Sequence, residues 1–169
     1  MWVCREPGEG RILKVMPRVV IAEDRKSVRT AVNALIESGQ TSRPKVPTRI
    51  LIAEDRESMR HALRVLFGLR ENWEVCGEAE DANEAILKAE QLRPDLIVLD
   101  YKMRHTDGLQ AADGIFKVLP DVPIVMFTLY KTDELEHAAN LIGIRCVVGK
   151  EDGVHSLLSA MEQQLPPAP

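Results

Sequence analysis

The sequence predicts an α/β protein built on a doubly wound parallel sheet with helices on both faces. Three observations carry that prediction. Apolar runs of strand length alternate with longer segments of helical period from residue 49 to residue 165. One run, Leu96-Ile97-Val98-Leu99, is apolar at every position, as a strand covered on both faces must be. Acidic residues stand directly after two of the runs, at the strand ends where open α/β sheets meet their ligands. Five strands alternating with five helices make one three-layer domain, because right-handed crossovers put helices on either side of the sheet.

The chain has 169 residues, enough for one domain of ordinary size and an extension. A net charge of −4 gives no basic face for nucleic acid. The three cysteines, Cys4, Cys76 and Cys146, lack C-x-x-C spacing and imply neither a disulfide framework nor a zinc ribbon. Cys76 and Cys146 lie in apolar runs and read as buried free thiols. No apolar stretch approaches the ~20 residues that span a bilayer, and the first residues lack the apolar core of a secretory signal. A cytoplasmic location is expected.

In order, residues 1–17 carry Pro7, Gly8, Gly10 and Pro17 without a period and read as an irregular arm. Residues 18–39 and 49–70 are one strand–helix unit written twice. Arg-Val-Val-Ile-Ala-Glu-Asp-Arg-Lys-Ser-Val-Arg in the first matches Arg-Ile-Leu-Ile-Ala-Glu-Asp-Arg-Glu-Ser-Met-Arg in the second. The helix stripe is Val28, Ala31, Val32, Leu35 and Ile36 in one copy and Met59, Ala62, Leu63, Leu66 and Phe67 in the other. Residues 40–48, with Pro44 and Pro47, form a linker. A strand follows from Glu74 to Ala79, then a helix capped by Asp81 and ended before Pro94. Leu96 to Leu99 is the central strand. Asp107-Gly108 opens a helix carrying Leu109, Ala112, Ile115, Phe116 and Leu119. Ile124 to Thr128 is a buried strand, Thr132 to Leu141 a helix, and Arg145 to Val148 a short strand. The last helix places Val154, Leu157, Leu158, Met161 and Leu165 on one stripe, and residues 166–169 form a proline-rich tail.

Parallel strands bring their carboxyl ends to one edge. Glu54-Asp55, Asp100, Thr128 and Lys150 therefore converge. At an effective dielectric near 20, each pair of carboxylates 4 Å apart costs about 4 kcal/mol. An oxygen-seeking dication offsets that cost, and Mg²⁺ suits a site with few protein ligands that keeps several waters. A carboxylate beside Mg²⁺, a lysine and a threonine is a phosphoryl acceptor: Asp100 attacks phosphorus, while cations neutralise the equatorial oxygens.

These residues resemble the receiver domain of two-component response regulators. The motifs are Ile-Leu-Ile-Ala-Glu-Asp at 50–55, Pro-Asp-Leu-Ile-Val-Leu-Asp-Tyr-Lys-Met at 94–103, Asp-Gly at 107–108, Pro-Ile-Val-Met-Phe-Thr at 123–128 and Val-Val-Gly-Lys at 147–150. The resemblance covers the domain at 49–165. It implies a flavodoxin-like fold with strand order 2-1-3-4-5. It implies that Asp100 is the phosphoacceptor, Asp55 a direct Mg²⁺ ligand, Glu54 a second acid acting through water, and the Lys102 backbone carbonyl a further ligand. Thr128 and Lys150 would be the switch pair, and Lys102 and Tyr130 would tune dephosphorylation. Partners implied are a sensor histidine kinase or phosphotransfer protein, and a second copy through the face of helix 4, strand 5 and helix 5. Trp-Glu-Val-Cys-Gly-Glu-Ala at 73–79, and Glu151-Asp152 rather than proline after Lys150, resemble receivers of regulators with a DNA-binding helix-turn-helix. Residue 169 leaves no room for that output domain, so direct DNA binding and membrane association are not expected.

Arg104 replaces the family's usual proline, and Val147 replaces its aromatic switch residue. The expected function is a single-domain receiver in a phosphorelay, with self-catalysed phosphoryl acceptance and loss but no enzyme activity on other substrates. The alternative is a non-signalling remnant or phosphate sink. A haloacid-dehalogenase-like phosphatase also forms an aspartyl phosphate but carries an acid–base Asp two residues on, where this chain has Lys102. Of the two copies, residues 49–70 join the second strand directly. Using residues 18–39 would insert a loop of about thirty residues, which compact domains rarely hold.

Overall fold

The computed structural model describes residues 46–104 and 106–165. The arm at 1–17, the first strand–helix copy at 18–39, residues 40–45 of the linker, His105 and the tail at 166–169 lie outside the described residues.

Five parallel strands form one sheet: β1 (Thr48–Ala53), β2 (Trp73–Ala79), β3 (Leu96–Leu99), β4 (Ile124–Thr128) and β5 (Cys146–Gly149). Their spatial order is β2-β1-β3-β4-β5. Five helices connect and follow them: α1 (Glu57–Gly68), α2 (Ala82–Leu92), α3 (Gly108–Val118), α4 (Asp133–Ile142) and α5 (Gly153–Gln164). This is the flavodoxin-like order that the resemblance to receiver domains implied.

Alternation along β1 separates two cores. Leu51 and Ala53 pack with Ile97, Leu99 and Met126 against α2, α3 and α4. Ile50 and Ile52 pack with Val98, Val125 and Phe127 against Leu63 and Phe67 of α1 and Leu157 and Met161 of α5. β3 contributes to both, and all four of its side chains are buried. At about 2 kcal/mol for each buried side chain, that strand alone contributes roughly 8 kcal/mol of hydrophobic stabilisation. Asp81 caps α2 by accepting from the Glu84 N–H, Asp107 caps α3 through Gln110 N–H, and Thr132 caps α4 through Leu135 N–H. Arg93, before Pro94, closes α2 in a left-handed conformation with φ 45°.

Several expectations need correction. Ala62 is exposed, because the buried stripe of α1 runs through Arg60, Leu63 and Phe67 instead. Val154 is 46% exposed: it lies in the first turn of α5, directly after the 3-10 turn Lys150–Asp152, and the buried stripe begins at Leu157. Cys76 and Cys146 are half-buried rather than buried. Cys76 is the extra residue of a β-bulge: Ile50 pairs with Val75 and Leu51 with Gly77, so Cys76 has no register partner on β1, although its Sγ donates to the Ile50 carbonyl at 3.4 Å. Cys146 opens β5, an edge strand. Burial pushes both thiols above the ordinary cysteine range, which leaves them poor nucleophiles. A two-residue antiparallel ribbon, Lys102–Met103 with Thr106–Asp107, was not expected from the sequence.

Candidate phosphoacceptor site

Each element ends where the site needs a group. Glu54 and Asp55 follow β1, Asp100 follows β3, Thr128 ends β4 and Lys150 follows β5. The strands are parallel, so all five residues reach the carboxyl edge of the sheet. Carboxylate oxygens of Glu54, Asp55 and Asp100 lie within 4.8 Å of one another. Lys150 Nζ donates to Glu54 Oε2 at 2.6 Å and to Asp100 Oδ2 at 2.7 Å. These three side chains are only 2–5% exposed, so the ion pairs are poorly screened. Lys150 Nζ also lies 5.8 Å from the centre of the Phe127 ring, a cation–π contact that helps aim it.

The charges do not balance. Lys150 and the solvent-exposed Arg56 guanidinium, 3.6 Å from Glu54 Oε1, face three carboxylates. Burial holds the Glu54 carboxyl above the ordinary glutamate range; the Lys150 hydrogen bond opposes this, and the Asp100 charge adds to it. The cluster therefore carries net negative charge. Its donors are oxygens only, which suits a hard dication such as Mg²⁺.

The loops around the cluster are tied back to the fold. The Lys102 N–H points to Asp100 Oδ1 at 3.4 Å. Thr128 Oγ1 accepts from the Tyr130 N–H at 3.1 Å, so this hydroxyl holds the start of its own loop. Asp152 Oδ2 accepts from the Gly149 N–H at 3.0 Å and from Lys131 Nζ at 3.2 Å. That carboxylate joins the loop after β4 to the one after β5. Both contacts lower its pKa, the Gly149 N–H most. Lys102 and Tyr130 are exposed beside the site, and Val147 is half-buried against the core.

Gly108 explains the Asp-Gly motif. Its N–H donates to the Tyr101 carbonyl at 2.6 Å. A Cβ there would run into the Asp100 carbonyl oxygen and stand 2.9 Å from Tyr101 Cα. Both obstacles are backbone and cannot swing aside. Gly108→Ala is therefore expected to cost about 1–3 kcal/mol in denaturant unfolding, the usual range for overpacking. It should also displace the Asp100 backbone and slow any chemistry there. Unchanged stability would show that the loop yields freely.

Sequence reasoning missed Arg60, Phe127 and Asp152. The signal for Arg60 was available: the repeat keeps an arginine at the same place, Arg29. Phe127 read as core, and the partner of Asp152 lies 21 residues away at Lys131.

Comparisons with known proteins agree on the family and the fold. The family model described as "Response regulator receiver domain" matches residues 50–162. The response regulator protein VraR of Staphylococcus epidermidis is 33% identical over 94 residues, which cover 56% of this chain and 45% of the relative. The chain thus spans less than half the length of the curated relatives it matches. Among solved structures, a two-component response regulator of the LuxR family from Aurantimonas sp. SI85-9A1 superposes with a TM-score of 0.67 at 26% identity, covering 69% of this chain and 84% of that one. The response regulator domain of Thermotoga maritima CheB gives 0.65 at 26% identity, covering 70% and 96%.

Proposed function

Because the chain belongs to the response regulator receiver domain family, we propose that it accepts a phosphoryl group on Asp100 and switches partner binding in a phosphorelay. The observation that supports this best is the convergence of buried Glu54, Asp100 and the Lys150 side chain with half-buried Asp55. Lys150 and solvent-exposed Arg56 offset only part of the charge of three carboxylates, which leaves the cluster net negative, as a cation site requires.

Asp100 supplies the nucleophile. A carboxylate oxygen forms a bond to phosphorus as the bond from phosphorus to the donor breaks. With a phosphohistidine donor, the imidazole nitrogen takes the electron pair; with acetyl phosphate, acetate leaves. Glu54, Asp55, Asp100 and the Lys102 carbonyl would hold Mg²⁺, which when bound neutralises phosphoryl oxygens. Lys150 is already on Asp100 Oδ2 and can transfer its hydrogen bond to an incoming phosphoryl oxygen. The Thr128 hydroxyl can turn from the Tyr130 N–H towards the same group and draw the β4–α4 loop inward. Half-buried Val147 takes no aromatic part in the change. The face of α4, β5 and α5 then alters what it binds: a second copy or a downstream protein.

The test is acetyl phosphate treatment of the purified protein with and without Mg²⁺, read by intact mass. One added phosphoryl group is expected with Mg²⁺ and none in Asp100→Asn. Exposed, bulky Lys102 and Tyr130 flank the approach to the site, so the adduct is expected to persist for minutes or longer. Decay within seconds would refute that part. Absence of any Mg²⁺-dependent adduct would overturn the function. Turnover of other phosphate esters is not expected. Altered partner binding after beryllofluoride treatment would distinguish a switch from a phosphate store.

A further inference from the structure

Arg60 is a charged residue on the core-facing stripe of α1, and its side chain is only 9% exposed. Its Nη1 donates to the Glu54 carbonyl at 2.8 Å in a buried bond. Its Nη2 donates to Glu80 Oε1 at 2.8 Å, and Nε lies 3.3 Å from Glu78 Oε2. The first partner is the backbone of the acidic pair. The other two stand at and just beyond the end of β2. The Glu54 N–H is also fixed, donating to the Ala79 carbonyl at 3.0 Å. Both peptide groups of Glu54 are thus held, and Asp55 hangs from the second.

Stability alone does not explain an arginine here. An apolar side chain of similar volume commonly serves a buried position as well or better. The guanidinium is different because its planar fork serves several fixed partners at once, which no other side chain can do. The repeat retains this arginine, as Arg29, together with the acidic pair.

We propose that Arg60 is a positioning residue for the cation site: it clamps the Glu54–Asp55 peptide to the end of β2 and so presets the carboxylates that a divalent cation uses. This rests on the acidic cluster being that cation's site. Charge and geometry predict opposite signs. A positive group beside the cluster repels a cation, so loss of its charge alone would tighten binding. Loss of the clamp would weaken it.

The experiment is Mn²⁺ binding to the full chain, read by electron paramagnetic resonance, in the parent, Arg60→Met and Arg60→Lys. Outer-shell supports of metal sites are commonly worth 10–100-fold in affinity, so Arg60→Met is expected to bind about tenfold more weakly. Arg60→Lys keeps the charge but cannot span all partners, and should fall between the two. In acetyl phosphate reactions the half-saturating Mg²⁺ concentration should rise, while the rate at saturating Mg²⁺ returns to the parent's. A merely damaged fold would lower the saturated rate instead. If Arg60→Met does not fold, Arg60→Lys decides. Parent-like or tighter Mn²⁺ binding in a folded variant overturns the role of Arg60 alone. A parent that binds no Mn²⁺ overturns the cation site as well.

Discussion

Replacing Lys150 by methionine is expected to cost the metal-free protein about 3 kcal/mol at neutral pH, the scale for removing one partner of a buried ion pair. Added Mg²⁺ is expected to restore most of that loss. Lys150 Nζ is the cation paired with both Glu54 Oε2 and Asp100 Oδ2, and all three side chains are at most 5% exposed. Methionine fills most of the lysine stem and removes the ammonium group with its charge and donors. The two carboxylates then face each other with only the solvent-exposed Arg56 guanidinium, 3.6 Å from Glu54, near them. One relief is for Glu54 to keep its proton. Its carboxyl already sits above 4.5 in the folded protein, through burial first, with the Lys150 hydrogen bond opposing. For a raised carboxyl, the stabilising contribution is complete below the unfolded value of 4.5 and is lost as pH rises through the folded value. Removing Lys150 lifts the folded value further and extends the loss to higher pH. Parent and variant should therefore converge in acid and diverge towards neutrality. Urea unfolding across pH, with chelator or with Mg²⁺, reads all of this. A variant as stable as the parent in chelator, and indifferent to Mg²⁺, would show that Lys150 is not the counterion of the cluster.

How much of this was legible in the sequence follows from the kind of contact involved. β3 and Asp100 were readable because a strand buried on both faces leaves an unbroken apolar run, and the acid ends it. Thr128 and Lys150 were readable for the same reason: each closes an apolar run, and parallel topology does the rest. Caps were readable at Asp81 and Asp107, where the partner is three residues on. Contacts between distant segments were not. Apolar periodicity alone runs the α1 stripe through Ala62, whereas Arg60 is buried through its partners Glu78 and Glu80 from another part of the chain. The bulge at Cys76 left no mark on the alternation of β2, because its cause lies in the pairing with β1. The ribbon of Lys102–Met103 with Thr106–Asp107 is too short to have a period. Local periodicity thus located the chemical groups, and long-range hydrogen bonds decided how firmly they are held.

Asp55→Asn is expected to slow Mg²⁺-dependent phosphorylation of Asp100 by at least about a hundredfold, the usual scale for losing a principal electrostatic contact to the transferring group. Asp24→Asn is expected to leave the rate unchanged. The two acids occupy the same place in the two copies of the repeat. Asp24 lies outside the described residues, and the central slot of the sheet is filled by β1. Thr48–Ala53 is hydrogen-bonded to β2 over its whole length and to β3 from Ile50 to Ala53. Its helix, α1, ends at Gly68, and β2 begins at Trp73, a connection of ordinary length. Asp55 is thereby fixed within reach of Asp100. Stability gives an independent reading. Neutralising Asp55 relieves repulsion in a net-negative cluster, so the metal-free Asp55→Asn protein should be no less stable than the parent. It should also gain less from Mg²⁺. A protein that is intact, no longer stabilised by Mg²⁺ and no longer phosphorylated would make Asp55 a cation ligand rather than a folding residue. The reverse pattern, with Asp24→Asn inactive and Asp55→Asn active, would mean that the first copy supplies the site.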